Sequence, residues 1–215
     1  MINLGFHGVG APERELEPDE DQYWVDPELF GELLDTALEL PEVKLTFDDG
    51  NASDVSVALP MLLERGLTAA FFVIAGRLGQ PGSLAADDVR ALAEAGMTIG
   101  THGMRHRPWR SLHEEGYREE LDEATELLEA AAGASIDEAA CPYGAYDRRA
   151  LRALRQREFR RVYSVDPRPA RPDAWFQPRY AIRRGDTAGT VRSFGSDSFS
   201  RTVVLAGKSA VKRWR

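Results

Sequence analysis

One cysteine in 215 residues excludes an internal disulfide and any zinc site built on thiolates. Histidine is almost as scarce. His7, His102, His106 and His113 are the whole supply, so imidazole chemistry must draw on these four. No stretch approaches the roughly 18 consecutive apolar residues that a membrane-spanning helix needs. The segment Met1 to His7 has neither a basic stretch nor a long apolar one. No secretory leader is visible there, and a cytoplasmic location is expected. Internal repeats, low-complexity tracts and linkers are also missing, so one domain over residues 1–215 is the simplest organisation.

The composition itself is ordinary for a globular protein, with 43% apolar and 29% charged residues. Disorder, collagen-like repeats and disulfide-stapled miniproteins are thereby excluded. The 27 basic and 35 acidic residues leave a formal net charge of −8. Their distribution is lopsided. Residues 1–50 hold 14 acids and 2 bases, residues 51–140 hold 15 and 7, and residues 141–215 hold 6 and 18. One reading is that an acidic part docks onto a basic part within one fold. The other is a basic surface that meets anionic lipid or a phosphate-bearing substrate, with the basic tail 201–215 as its extreme. Nucleic acid is not an expected partner, because no recognition motif accompanies the arginines.

Apolar runs and helical periods alternate along the chain. Short strands are expected at 2–6, 43–47, 67–75, 97–101, 139–143, 161–165 and 180–183. Helices are expected at 27–40 after the Asp26-Pro27 start, then at 52–65, from Asp87 to Gly96, at 113–132, at 147–157 and over the tail 201–215. The stripe of the long helix reads Leu121, Ala124, Leu127, Leu128 and Ala131. This βαβα order argues for a parallel sheet covered on both faces.

Two strand ends carry chemistry. In Leu45-Thr46-Phe47-Asp48-Asp49-Gly50, alternation puts Thr46 and Asp48 on one face, and Phe47 and Asp49 on the other. Paired carboxylates at the C-terminal end of a parallel strand lie where such folds place active sites. The same residues also read as a turn with Asp49 capping the next helix. In Ile99-Gly100-Thr101-His102-Gly103-Met104-Arg105-His106, two imidazoles four residues apart can face one ion. Two imidazoles, a carboxylate and an open position make a catalytic divalent-metal site. The His-Glu-x-x-His helix of metalloproteases is absent.

With these residues the sequence resembles the polysaccharide deacetylase family, also called the NodB homology domain or carbohydrate esterase family 4. Thr46 to Gly50 match the whole first motif, Thr-Phe/His-Asp-Asp-Gly. His102 and His106 match the ligands of the second, His-Ser/Thr-x-x-His, with Gly103 at the Ser/Thr position. The third motif, Arg-x-Pro-Tyr-Gly, appears as Ala140-Cys141-Pro142-Tyr143-Gly144, without its arginine. Asp166 and Trp175 are loose counterparts of the fourth. The fifth, Leu-x-His, has none.

The resemblance implies an α/β fold, a distorted (β/α) barrel with fewer than eight strands. It implies metal-dependent hydrolysis of an N- or O-acetyl group on a sugar or glycoconjugate precursor. Asp49, His102 and His106 would hold a divalent metal, zinc first among the choices. Asp48 would be the general base, and the Tyr143 main-chain N–H would help stabilise the oxyanion. Pro142 would join the substrate wall; Trp109, just after His106, and Trp175 are candidates for stacking on a sugar face there, with packing in the core as the equal alternative.

Each missing residue needs a substitute. Arg179 or Arg183 is the candidate for orienting Asp48 in place of the lost arginine. His7, at the end of the first strand, is the candidate general acid; a turn-capping role is its alternative. Cys141 reads as a small buried residue and His113 as exposed. Two rival functions stay open: hydrolysis of a non-sugar C–N bond on the same scaffold, and a catalytically decayed carbohydrate-binding or regulatory module.

Overall fold

The structure is a computed structural model that describes residues 1–195. The expected helical tail at 201–215 lies outside the described residues. Ten strands form, with ranges Ile2–Phe6 (β1), Gly8–Val9 (β2), Trp24–Val25 (β3), Val43–Asp49 (β4), Ala69–Val73 (β5), Thr98–Thr101 (β6), Glu138–Ala140 (β7), Arg161–Ser164 (β8), Phe176–Pro178 (β9) and Tyr180–Ala181 (β10). Apart from the small β2–β3 pair, they make one sheet in the order β10-β1-β4-β5-β6-β7-β8-β9. Every pairing in it is parallel.

The two outermost strands are successive parts of one chain pass, separated only by Arg179. Its first half pairs with β8, Ser164 opposite Pro178, and its second half with β1, Leu4 opposite Tyr180. The sheet therefore curls back on itself at that residue. Eight hydrogen-bonded segments come from seven passes of the chain, a distorted (β/α) barrel.

Helices α1 (Pro27–Glu39), α2 (Leu59–Glu64), α3 (Ala86–Glu94), α4 (Glu114–Tyr117), α5 (Ala124–Ala132), α6 (Arg148–Gln156) and α7 (Ala188–Gly195) complete the fold. Their starts follow local chemistry. The Asp26 carboxylate accepts the Leu29 N–H at 2.8 Å, with Pro27 in the first turn. Asp147 does the same for Ala150 at 2.9 Å. Helix α6 buries Ala150, Ala153 and Leu154 and leaves Arg148, Arg149, Arg152 and Arg155 exposed. Among the described helices none is long and apolar enough to cross a membrane.

Several boundaries differ from the sequence expectations. β4 runs two residues further, through Asp48 and Asp49. The segment 139–143 stops being strand after Ala140, because Pro142 opens a 3-10 turn over Pro142–Gly144. The helix expected at 52–65 begins as a π turn at Asp54–Ala58, and the one at 113–132 holds another at Arg118–Glu123. Leu127 is 44% exposed, whereas Leu121, Ala124, Leu128 and Ala131 form the buried stripe. That stripe keeps the i, i+3, i+7 positions and leaves Leu127 on its flank. β9 and α7 had no counterpart in the sequence reading. β9 is too short for a visible period, and α7 begins in a Gly/Thr-rich stretch.

Phe6, Phe30, Phe47 and Phe71 stack between the outer face of the sheet and α1, with centroids 4.6–5.9 Å apart. All four are fully buried. Phe47 touches the other three, so Phe47→Ala should destabilise the chain by about 3–5 kcal/mol. The midpoint of urea unfolding measures it.

Candidate active site

Strand alternation sends one set of side chains into the barrel. Its floor is polar. Lys44 Nζ donates to the Tyr163 oxygen at 2.5 Å and to Glu138 Oε2 at 3.3 Å, and the Tyr163 hydroxyl donates to the same Glu138 oxygen at 2.9 Å. Asn3 Nδ2 donates to Gln177 Oε1 at 3.0 Å. One layer higher lies Arg179, fully buried. Its Nη1 donates to Asp48 Oδ1 at 2.7 Å and its Nη2 to Oδ2 at 2.6 Å. Nη1 also donates to Thr46 Oγ1 at 3.0 Å, and Nε to the Ser164 carbonyl at 3.3 Å. The guanidinium carbon is 5.4 and 5.7 Å from the Phe72 and Tyr163 ring centres. Those rings pack with Ala140, which stands at the third-motif arginine position. The cation thus reaches Asp48 from the closing strand.

Burial alone would raise the Asp48 carboxyl. The charges of Arg179 and His102 and the hydrogen bonds from Arg179 outweigh it and hold Asp48 far below the usual carboxylate range. Asp54, in the π turn that follows, is also fully buried, and neither carboxyl oxygen has a hydrogen-bond partner. Burial, then the charge of Asp49, pushes it well above that range.

At the mouth, Asp49, His102 and His106 converge, each offering one ligand atom within 4.8 Å of the others. Asp49 Oδ1 lies 3.6 Å from both imidazole Nε2 atoms. This oxygen is buried and has no hydrogen-bond partner. His102 Nδ1 lies 2.9 Å from the Ala140 carbonyl, so it carries the proton and leaves Nε2 as an acceptor. His106 Nδ1 is 3.1 Å from Glu17 Oε2, which directs its Nε2 the same way. An orphaned carboxylate oxygen facing two imidazole lone pairs fits a divalent cation.

Backbone strain and buried acids set this geometry. Alternation assigns Asp49 to the outer face, but its φ of 77° turns the chain and brings it into the site. His106 and Tyr143, both with φ 56°, are strained in the same sense. Glu120, buried in the second π turn, accepts the Met104 and Arg105 N–H groups at 3.1 Å each and so holds the turn between the histidines. A Cβ on Gly103 would lie 2.3 Å from Glu120 Oε2, at a φ of 86°. Glycine at this Ser/Thr position thus goes with the buried acid.

Glu17 anchors the loop over the mouth. It accepts from the Tyr143 hydroxyl at 2.5 Å and pairs with Arg77. Its bond to His106, opposed by burial and reinforced by Tyr143, holds its carboxyl far below normal.

The cleft has a volume of about 380 Å³, and His7, Glu17, Asp48, Asp49, His102, His106 and Tyr143 line it. The His7 ring stacks on Tyr23 at 4.8 Å, and its Nδ1 is buried without a hydrogen-bond partner. Three expected wall or orienting residues lie elsewhere. Trp109 is fully buried in a core cluster with Leu112 and Tyr117. Trp175 packs under Arg155 on the barrel flank, its Nε1 donating to the Phe159 carbonyl at 2.7 Å. Arg183 is exposed beside the Tyr23 ring. Pro142 is buried under the Tyr143 turn, and Asp166 accepts from the Tyr146 and Ser164 hydroxyls. Cys141 is buried and His113 exposed. Glu17, Glu120 and Asp54 escaped the sequence reading, because nothing separates them from the other acids around them.

Burial lowers the His102 pKa to about 4, against the pull of Asp48 and with repulsion from His106 adding to the fall. An unfolded histidine titrates near 6.5. Between about 6.5 and about 4 the unfolded chain of a metal-stripped sample therefore binds a proton that folded His102 does not. Stability should fall as pH drops through this window. Urea midpoints in chelator give the slope, and His102→Gln should reduce it.

Comparison with known proteins bears on the fold and the family. The chain is 25% identical over 142 residues to YxkH of Bacillus subtilis (strain 168). That alignment spans 66% of this chain and 50% of YxkH, so the chain matches half the length of this curated relative. The Streptococcus pyogenes deacetylase PplD superposes with a TM-score of 0.75 at 18% identity, covering 90% of this chain and 97% of that one. IcaB from Ammonifex degensii gives 0.73 at 22%, covering 91% and 97%. BC0361, a polysaccharide deacetylase from Bacillus cereus, gives 0.75 at 17%, covering 89% and 67%. At these identities the solved structures speak for the fold. The polysaccharide deacetylase family model matches residues 37–162, more than half of the sequence, and the chain belongs to that family.

Proposed function

We propose that this chain is a metal-dependent hydrolase that removes an acetyl group, as amide or ester, from a sugar or glycoconjugate. The observation that carries the reading is the buried Asp48–Arg179 pair beside the convergent Asp49, His102 and His106. A module that only bound carbohydrate would need neither the second aspartate nor a guanidinium clamped to it.

In this reading Asp49, His102 and His106 hold a divalent ion, zinc first among the choices. Such an ion, when bound, polarises an acetyl carbonyl and acidifies water. Asp48 takes the proton from the attacking water at Oδ1 or Oδ2. Arg179 keeps that carboxylate ionised and fixes its plane, because the two guanidinium bonds leave the remaining lone pairs aimed at the cleft. Tyr143 presents its main-chain N–H to the oxyanion from the strained turn. His7 gives the leaving oxygen or nitrogen its proton; the unpartnered Nδ1 and the Tyr23 stack support an orientation held by packing. Glu17 is the positioning residue for His106.

Acetate release from N- and O-acetylated sugars tests the reading. With zinc supplied, wild type should release acetate, and Asp48→Asn should lose about 10²–10⁴-fold in turnover. No release from any acetylated sugar by zinc-loaded protein would overturn it. Glu17→Gln should weaken zinc binding by about 10–100-fold, read by competition with a chromophoric chelator.

A further inference from the structure

A second cleft, also about 380 Å³, lies on the flank of the barrel between α6, β9 and the loop that joins β8 to β9. Gln177 on β9 and Arg179 just after it face the barrel interior, so Phe176 and Pro178 face outward into this cleft. Arg155, Arg168 and Arg171 converge on it. Other arginines of the basic third meet acids: Arg157 pairs with Asp122, Arg160 with Asp137 and Arg161 with Glu138. The three around the cleft form no ion pair among the described residues, although Asp173 stands on the same loop. Like charges gathered in one concavity repel unless an anion joins them.

The guanidinium groups are also prepared for one. Arg155 stacks over the Trp175 ring at 3.7 Å, which uses the face of the guanidinium and leaves its N–H edge open. Arg168 Nε is buried and has no hydrogen-bond partner, a donor that a ligand would satisfy. Leu151, Phe176 and Pro178 supply an apolar side that a bare ion would not use.

We propose that this flank cleft binds a phosphate ester, its phosphate held by Arg155, Arg168 and Arg171 and its carbon skeleton laid against Leu151 and Phe176. The concavity fits one ester group on a soluble or polymeric chain and not a flat bilayer. The proposal is independent of the deacetylase reading, since none of these side chains lines the cleft at the barrel mouth.

Calorimetric titration of the full chain with glycerol 3-phosphate, inorganic phosphate and acetate at matched ionic strength tests it. The ester should bind saturably, more tightly than inorganic phosphate, and acetate should not compete. Arg155→Gln with Arg171→Gln, both at exposed positions, should weaken the ester about tenfold or more. Arg152→Gln, on the same helix but outside the cleft, should leave it unchanged. The double variant also separates this site from any phosphate held at the barrel mouth. Absence of saturable ester binding, or binding unaltered in the double variant, would overturn the proposal. So would binding to phosphatidylglycerol vesicles without binding of the soluble ester.

Discussion

Arg179 sits where two demands meet. It is the residue between the strand halves that pair with β8 and with β1, so the closure of the sheet runs through its backbone. Its side chain crosses the interior and clamps both oxygens of Asp48. Taking both charges out of water is costly, and the pair is tolerable only because it is bidentate and further bonded to Thr46 and the Ser164 carbonyl. A lysine could not reproduce it, since a single ammonium lacks the fork that matches a carboxylate. Shifting the register of the closing strand by one residue would turn this side chain to the outer face. The alignment that closes the barrel is thus the one that sets the charge of its central acid.

The same logic accounts for the uneven charge along the chain. Bases from the last third reach back to acids of the first two thirds: Arg157 to Asp122, Arg160 to Asp137, Arg184 to Asp21 and Arg192 to Glu39. Among the described residues, these pairs join the basic part to the acidic part within one fold. Most of these pairs are at least partly exposed and contribute at most about 1 kcal/mol each. The packed phenylalanines behind β1, β4 and β5 carry the stability.

Much of this was legible in the sequence because burial writes itself as pattern. The parallel strands showed as apolar runs, and α1 showed through Asp26-Pro27. The two metal-type histidines showed through their spacing at a strand end. What the pattern hid were departures from period. Asp49 belongs to the outer face by alternation and enters the site only through a left-handed φ. Glu17 and Glu120 are two acids in a chain rich in acids, and only the fold distinguishes them from solvated neighbours. Trp109 followed His106 closely in sequence, yet the turn after the histidine sends its indole into the core. Arg179 could be suspected because a lost arginine required a replacement, but its claim over Arg183 is decided by strand register.

The strain at the mouth has a consequence for how the site works. Asp49, His106 and Tyr143 each hold a left-handed backbone that L-residues resist, at a cost of order 1–3 kcal/mol apiece. His106 and Tyr143 are held by contacts that need no ligand. Glu120 ties the histidine turn, while Glu17 joins His106, Tyr143 and Arg77. The two imidazole lone pairs are therefore aimed toward the orphaned Asp49 oxygen by contacts within the chain. A cation entering such a site need not order the side chains that receive it, so less of its binding free energy is lost to organising them. The loop carrying Glu17 belongs to this arrangement as much as the barrel does, because its carboxylate ties His106 Nδ1 to the Tyr143 hydroxyl, whose ring lies 4.2 Å from the imidazole.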